Sequence, residues 1–432
     1  DYWTQVIDIE LPPIVRFERQ GGGKDAIEKA AKMLSDAKFP VILSGAGVVI
    51  GDAIKECKVL AEKLDAPVCN GYQHNDSFPG SHPLAVGPLG YNGSKAAMQL
   101  ISKADVVLAL GTRLNPFSTL PGYGIDYWPK NANIIQVDMN PDRIGLTKKV
   151  TVGIAGDAKQ VAKQIFDKLS SNAGDSGRED RKNLIHQTKS AWLQTLTSLD
   201  HEDDDPGTVW NKEARERDKD RMSPRQAWRA IQAAMPEDAI ISSDIGNNCA
   251  IGNAYPTFEK PRKYLAPGLF GPCGYGFPSI LGAKIGCPDT PVIGFAGDGA
   301  FGISMNEMSS CAREEWPAIT MVIFRNYQWG AEKRNSILWF DDNFVGTELD
   351  PELSYAKVAN ACGLKGVTVK TMEETTKAIK QSCDDQKKGI TTFIEVILNQ
   401  ELGEPFRRDA MKKPVQVAGI NKDDMKPQKS VV

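Results

Sequence analysis

Seven short, mostly apolar runs recur along the chain, separated by segments of helical periodicity, and few folds accommodate that rhythm. The runs cover residues 40–45, 104–111 and 133–138 in the first half, and 239–244, 291–296, 319–324 and 391–396 in the second. Between them, Ile27, Ala30, Ala31 and Leu34 recur at helical spacing, as do apolar positions from Ile54 to Leu64. Strands that are apolar throughout, rather than on alternate residues, are buried on both faces. Strands of that kind alternating with helices imply parallel sheets covered by helices. The expected fold class is α/β, with two doubly wound parallel-sheet domains joined by a polar linker.

Boundaries follow from breaks in this rhythm. Residues 21–170 form the first α/β unit and residues 223–400 the second, which Ser223-Pro224 opens as a helix start. Residues 171–222 read as a linker. Asn183 to Leu199 has the makings of a helix carrying Trp192, but 201–222 holds eight acids and five bases with few apolar residues, the composition of a solvated connector. Residues 1–20, with Leu11-Pro12-Pro13 running into Gly21-Gly22-Gly23, read as an extended linker following a domain that the sequence does not contain. The basic tail 401–432 is either an ordered arm over a neighbouring subunit or a frayed end.

Composition excludes several function classes. Lys plus Arg number 52 and Asp plus Glu 55, a net charge of −3, so the chain has no global electrostatic claim on nucleic acid. No apolar run approaches the roughly 18 residues that span a membrane. The eight cysteines are dispersed without a C-x-x-C pair, which argues against a zinc site and for reduced thiols in the cytoplasm. With only four histidines, a His cluster or a Ser-His-Asp triad has little material.

The chemistry concentrates in Gly297-Asp298-Gly299, followed after 25 residues by Arg325-Asn326. Asp298 follows the strand 291–296, and Asn326 follows the strand 319–324. In a right-handed βαβ unit both strands point the same way, so both residues emerge at the carboxyl edge of the sheet, where α/β ligands bind. A carboxylate, an amide oxygen and a main-chain carbonyl make a hard oxygen half-shell suited to Mg²⁺ or Ca²⁺, which phosphate oxygens can complete. Gly297 and Gly299 permit close backbone approach, and the amides of Gly299 and Ala300 at the helix start are candidate diphosphate donors.

This pattern resembles the G-D-G … N-N motif of the thiamine diphosphate-dependent enzymes, with Arg325 standing where the family has its first Asn. The resemblance implies thiamine diphosphate and Mg²⁺ as cofactors, with Asp298, Asn326 and the main-chain oxygen of Gln328 as metal ligands. It extends to Asp244-Ile245-Gly246-Asn247-Asn248, which the family uses at the diphosphate end, and to the Gly-rich segment 268–278, which contacts the aminopyrimidine. Asp244, Gly246, Asn247, Gly271, Cys273, Gly297, Asp298, Gly299, Ala300, Asn326 and Gly330 are therefore expected at the cofactor. Cys273 takes the place of a bulkier residue that props the cofactor into a bent shape. The Glu that activates the cofactor comes, in this family, from an N-terminal pyrimidine-binding domain, and no segment here resembles one. Glu307 reads as structural.

Residues 21–170 resemble the family's central domain. Gly45-Ala46-Gly47, with Asp138 at a later strand end, is reminiscent of a dinucleotide loop. Some relatives bind FAD there and many bind nothing, and a structural domain without nucleotide is the expectation. His82 reads as a packed turn residue. The run 326–346 resembles the branch of the family that acts on sulfoacetaldehyde, implying conversion of sulfoacetaldehyde and phosphate to acetyl phosphate and sulfite in a cytoplasmic homodimer or homotetramer. Lys333 and Arg334 are candidate catalytic anion contacts, or equally a solvated helix face. The alternatives are an acetolactate-synthase-like carboligase and a truncated chain that binds cofactor without catalysis.

Overall fold

The computed structural model describes residues 13, 18–199, 218–268, 270–333 and 345–400. They build two six-stranded sheets, each parallel throughout. The first has the order β3-β2-β1-β4-β5-β6, from β1 (Pro40–Ser44), β2 (Val68–Asn70), β3 (Ala85–Pro88), β4 (Val106–Leu110), β5 (Asn133–Asp138) and β6 (Val152–Ala155). The second has the order β11-β12-β10-β9-β7-β8, from β7 (Ile240–Ser243), β8 (Tyr264–Leu265), β9 (Val292–Gly297), β10 (Thr320–Arg325), β11 (Lys365–Val369) and β12 (Thr392–Ile397). The two doubly wound α/β units are those expected.

Helices of the first unit are α1 (Lys24–Asp36), α2 (Ala46–Ile50), α3 (Ile54–Leu64), α4 (Lys95–Ile101), α5 (Ala158–Lys168) and α6 (Arg178–Leu199). In the second are α7 (Pro224–Ala234), α8 (Asn247–Ile251), α9 (Gly276–Gly286), α10 (Asp298–Ser304), α11 (Met308–Cys311), α12 (Tyr355–Ala361) and α13 (Met372–Gln386). α7 begins as its sequence demands: Ser223 and Gln226 form a reciprocal capping box with Pro224 in the first turn. α13 repeats the device with Thr371 and Glu374.

The second sheet is sandwiched. Ile293, Phe295, Val322, Phe324 and Ile394 face one apolar cluster with Trp228 and Ile231 of α7, while Val292, Ala296, Met321, Ile323 and Phe393 face another with Phe277 and Phe301. That two-sided burial is why the strands carry no polar alternation.

Within 171–222, residues 200–217 lie outside the described residues, and the described residues 171–199 carry a helix. α6 begins five residues before the expected start at Asn183, and it is packed. Arg181 is fully buried and donates to the main-chain oxygens of Lys38, Leu64, Asp65, Gly174 and Ser176. Trp192 and Leu196 join the core of the second unit. One buried guanidinium satisfying five carbonyls, and one aromatic anchor, hold α6 against the two units. The units also touch directly: Asn75 Nδ2 donates to the carbonyls of Asn253 and Pro256, and Asp76 Oδ2 accepts from the amides of Lys263 and Tyr264.

Candidate active site at the carboxyl edge of the second sheet

β9 and β10 are neighbours, and Gly297 pairs in register with Phe324. Asp298 and the pair Arg325-Asn326 therefore leave the sheet side by side, 28 positions apart in sequence. Beside β9, β7 ends in the 244–248 loop, and α9 follows the Gly-rich segment. These ends enclose a cavity of about 200 Å³. Gly246, Asn247, Gly271, Cys273, Gly297, Asp298, Gly299, Ala300, Asn326, Gln328 and Gly330 all line it. Ile245 and Asn248 of the 244–248 loop line it too, as do Cys249, Trp329, Ala331 and Glu332, which the sequence did not single out.

Two expected residues stand elsewhere. Asp244 lies beneath the cavity, not on its wall: its carboxylate accepts from the amides of Ile245, Gly274 and Gly276, at 2.8, 3.1 and 2.7 Å. Burial raises its pKa against those three donors. It pins the Gly-rich segment to the end of β7, where Gly274 has φ +87° and a Cβ on Gly276 would meet Phe295 O at 2.7 Å. Lys333 does not line the cavity. Its Nζ pairs with Glu348, while its neighbour Glu332, one residue back on the same turn, lines the cavity. One residue is about 100° of helix rotation, enough to exchange which side chain faces inward. Arg334 and the run 339–344 lie outside the described residues.

Asp298 is buried and its two oxygens are treated differently. Oδ2 accepts from Arg325 Nη1 at 3.0 Å and from the Tyr327 amide at 2.6 Å, whereas Oδ1 accepts from the adjacent Gly299 amide at 3.0 Å. Burial pushes this carboxyl up to about 6, against the pull of Arg325 and the amides. Tyr327 takes a left-handed φ of 61°, and the chain turns so that Asn326 and Gln328 line the cavity while Arg325 and Tyr327 lie behind it. Gln400, beyond β12, locks this turn: its Nε2 donates to Asn326 O, and its own carbonyl accepts from Gln328 Nε2. Nothing in the local sequence marks Gln400. On the β7 side, Trp228 Nε1 donates to Asn248 O at 2.7 Å, and Gly246 adopts φ 125° ahead of α8.

The Cys273 thiol is pushed up to about 11, first by burial and then by Asp244 and Glu332, so it faces the cavity as a neutral, weakly polar wall. A Cβ on Gly299 would lie 2.8–2.9 Å from the indole of Trp329, so the absence of a side chain there is what admits the ring.

The first unit's glycine loop has a packing role. A Cβ on Gly45 would meet Gly111 O at 2.5 Å, and one on Gly47 would meet Gly111 Cα at 2.7 Å. The loops after β1 and β4 thus lie backbone on backbone. Asp138 accepts from the Asn140 amide, and His82 accepts from the Leu84 amide while its other ring nitrogen faces Glu62.

Similarity to known proteins agrees with this geometry. The family model of the thiamine pyrophosphate enzyme central domain matches residues 27–165, and that of the C-terminal thiamine pyrophosphate-binding domain matches residues 244–396. A probable sulfoacetaldehyde acetyltransferase of Rhizobium meliloti (strain 1021) is 77% identical over 99% of this chain and 73% of its own length. The sulfoacetaldehyde acetyltransferase of Roseovarius nubinhibens is 73% identical over 99% of the chain and 71% of its length. The chain belongs to the thiamine pyrophosphate enzymes. A more distant member, a probable acetolactate synthase large subunit of Methanococcus aeolicus, is 29% identical over 83% of the chain.

For a thiamine pyrophosphate enzyme the site must accept a pyrophosphate with its cation, and the donor set fits. Asn326 Oδ1 and Asn248 Oδ1 are buried at the cavity without a hydrogen-bond partner among the described residues. An orphaned, buried amide oxygen is costly unless something absent from the protein completes it. Among the described residues no cluster of three His, Cys, Asp or Glu side chains could hold a metal. The hard-oxygen set of Asp298, Asn326 and the Gln328 carbonyl is of the kind that would suit a Mg²⁺-like ion.

Proposed function

We propose that the chain catalyses the conversion of sulfoacetaldehyde and phosphate to acetyl phosphate and sulfite. The observation that carries this reading is 73–77% identity, over 99% of the chain, to relatives bearing that activity's name. The site residues that face the cavity support it. In this reading Asp298, Asn326 and the main-chain oxygen of Gln328 hold Mg²⁺. Gly246, Asn247, Gly299 and Ala300 face the pyrophosphate, and Gly271, Cys273 and Gly330 line the way to the rings. A cavity of about 200 Å³ suits the pyrophosphate end alone, with the rings beyond its mouth.

Bound thiamine pyrophosphate supplies a carbon nucleophile and an electron sink, chemistry that no side chain here possesses. The chain's own task is to hold and orient the cofactor and to move protons. Glu332, a carboxylate lining the same cavity, is our candidate for moving protons to and from the substrate. Cys273, held neutral, offers a wall rather than a competing nucleophile. Lys333, paired with Glu348, is left out of the catalytic assignment. We place the enzyme in the cytoplasm as a homo-oligomer in the breakdown of taurine-like sulfonates. No described helix is long and apolar enough to cross a membrane.

The test is to load the full-length protein with thiamine pyrophosphate and Mg²⁺ and supply sulfoacetaldehyde and phosphate. Sulfite and acetyl phosphate should appear in equal amounts. Absence of sulfite, or acetolactate formation from pyruvate at a higher rate, overturns the assignment. Asp298→Ala should abolish the calorimetric heat of cofactor binding.

A further inference from the structure

Where the family motif has its first Asn, this chain has Arg325, and the side chain's surroundings give that substitution a purpose. Arg325 ends β10 and is fully buried. Its Nη1 donates to Asp298 Oδ2 at 3.0 Å. Its Nη2 donates to the main-chain oxygens of Asp350 and Leu353. Its Nε faces Glu395 Oε1 at 3.8 Å, and the guanidinium lies 4.2 Å from the centre of the Tyr327 ring. An Asn amide offers two N–H groups on one nitrogen; the planar guanidinium offers five across a fork and spans three partners at once.

We propose that Arg325 is a positioning residue that makes Asp298 a one-oxygen metal ligand, an inference that rests on the thiamine pyrophosphate reading of the site. The Arg325 fork and the Tyr327 amide together occupy Asp298 Oδ2, so that oxygen has no capacity left for a cation. Oδ1, with one amide donor, is the oxygen that remains for the ion. The same fork ties the ligand to the 350–354 segment. From the far side of that segment, the Tyr355 hydroxyl donates to Asp298 O at 2.9 Å. Asp298 is thus gripped by its carboxylate from β10 and by its carbonyl from α12. Carboxylates that bind metals are oriented by such outer contacts, and losing one typically weakens metal binding about 10–100-fold.

A purely architectural role is the competing explanation, because Arg325 also compensates the buried Glu395. Ser354, Tyr355 and Thr368 hydrogen-bond to Glu395 without neutralising it. Arg325→Met removes both roles. Arg325→Met with Glu395→Gln removes the unpaired charge on Glu395 as well, leaving missing the grip on Asp298 and the bonds to the Asp350 and Leu353 carbonyls. Arg325→Lys keeps a charge near Asp298 but cannot span the two carbonyls.

The experiment is calorimetric titration of the full-length protein with thiamine pyrophosphate at graded Mg²⁺ concentrations, with thermal unfolding of the cofactor-free protein in parallel. The double variant should regain most of the unfolding temperature lost in Arg325→Met. It should still need about 10–100-fold more Mg²⁺ than wild type to reach half-maximal cofactor binding, with Arg325→Lys between the two. A double variant whose Mg²⁺ requirement lies within about twofold of wild type overturns the proposal and leaves Arg325 as architecture. Should Arg325→Met fail to fold, the double variant and Arg325→Lys carry the same comparison. Wild-type protein that binds thiamine pyrophosphate equally well without Mg²⁺ refutes the metal reading itself, which is a different failure.

Discussion

Gly299→Ala isolates one contact in the cavity wall, because the main-chain amide that donates to Asp298 Oδ1 is kept and one methyl group is added. The new Cβ would lie 2.8 Å from Cδ2 of Trp329 and 2.9 Å from Cε2 and Cε3, the three nearest atoms. Comfortable carbon–carbon contact is about 3.5–4.0 Å, so the ring must retreat by about 0.7–1 Å. It has little freedom to do so through the backbone. The Trp329 amide donates to Thr347 O at 2.7 Å, and its carbonyl accepts from the Lys333 amide at 2.9 Å. Relief comes by displacing the indole within a cavity of about 200 Å³ that it helps to line. Overpacking of this size costs about 1–3 kcal/mol. If the cofactor must push the ring back, affinity falls about 5–150-fold. Alanine within α10 itself favours the helix by about 0.5–1 kcal/mol, so the unfolding temperature of the cofactor-free protein should change little. Calorimetry with thiamine pyrophosphate and Mg²⁺ on wild type, Gly299→Ala, Trp329→Ala and the double variant completes a cycle in which the glycine substitution should cost nearly nothing once the ring is gone. Wild-type affinity in Gly299→Ala, or an equal penalty in the Trp329→Ala background, would refute the steric argument.

Glu332→Gln should lower sulfite release by about 100-fold or more, the usual scale for a general acid–base group, while the heat of cofactor binding stays within twofold. His74, half-buried and beside Arg113, has its imidazole held down at about 4 against 6.5, by burial first and by the arginine second. The unfolded chain therefore takes up that proton at higher pH than the folded one. His74 contributes stability above pH 6.5 that is lost as pH falls toward 4, about 1–3 kcal/mol after allowing for partial exposure. Urea midpoints across that window should slope less in His74→Gln, and parallel slopes would count against it. Gly252→Ala sets a Cβ 2.1 Å from Trp228 Cε2 in the core and should destabilise the protein by about 3 kcal/mol, read as a lower unfolding temperature.

The strands that the sequence revealed are those buried on both faces, where a continuous apolar run is the only pattern available. β9, β10 and β12 lie one residue later than the runs suggested, and β7 falls within its run. The strands that stayed hidden are short or marginal. β8 has two residues and β2 three, β6 alternates in burial, and β11 is a half-buried edge with Lys365 and Thr368. The cavity was legible for a related reason: parallel strands deliver the residue after each run to one edge, so position in sequence becomes position in the site. What sequence could not supply was direction. Asp244 has the right address but spends its carboxylate on three amides, and Glu332 and Lys333 differ only by helix phase. Gln400 acts from a strand end 72 positions beyond Gln328, with no motif to flag it.

The departure at Arg325 also shows why a motif's invariant and variable positions should be weighed by the face they present. Along 325–328, residues 326 and 328 line the cavity and are the residues proposed to hold the cation. Residues 325 and 327 face backward, against Asp350, Leu353, Tyr355 and Glu395, and Arg221 lies 4.8 Å from the centre of the Tyr327 ring. A forward-facing substitution alters the ligand set itself. A backward-facing one alters only how firmly an existing ligand is held. The left-handed φ of Tyr327 separates the two faces, and it persists because its amide is anchored on Asp298 and its ring contacts the guanidinium groups of Arg221 and Arg325. Asp298 is therefore the hinge between the faces, one oxygen given to each.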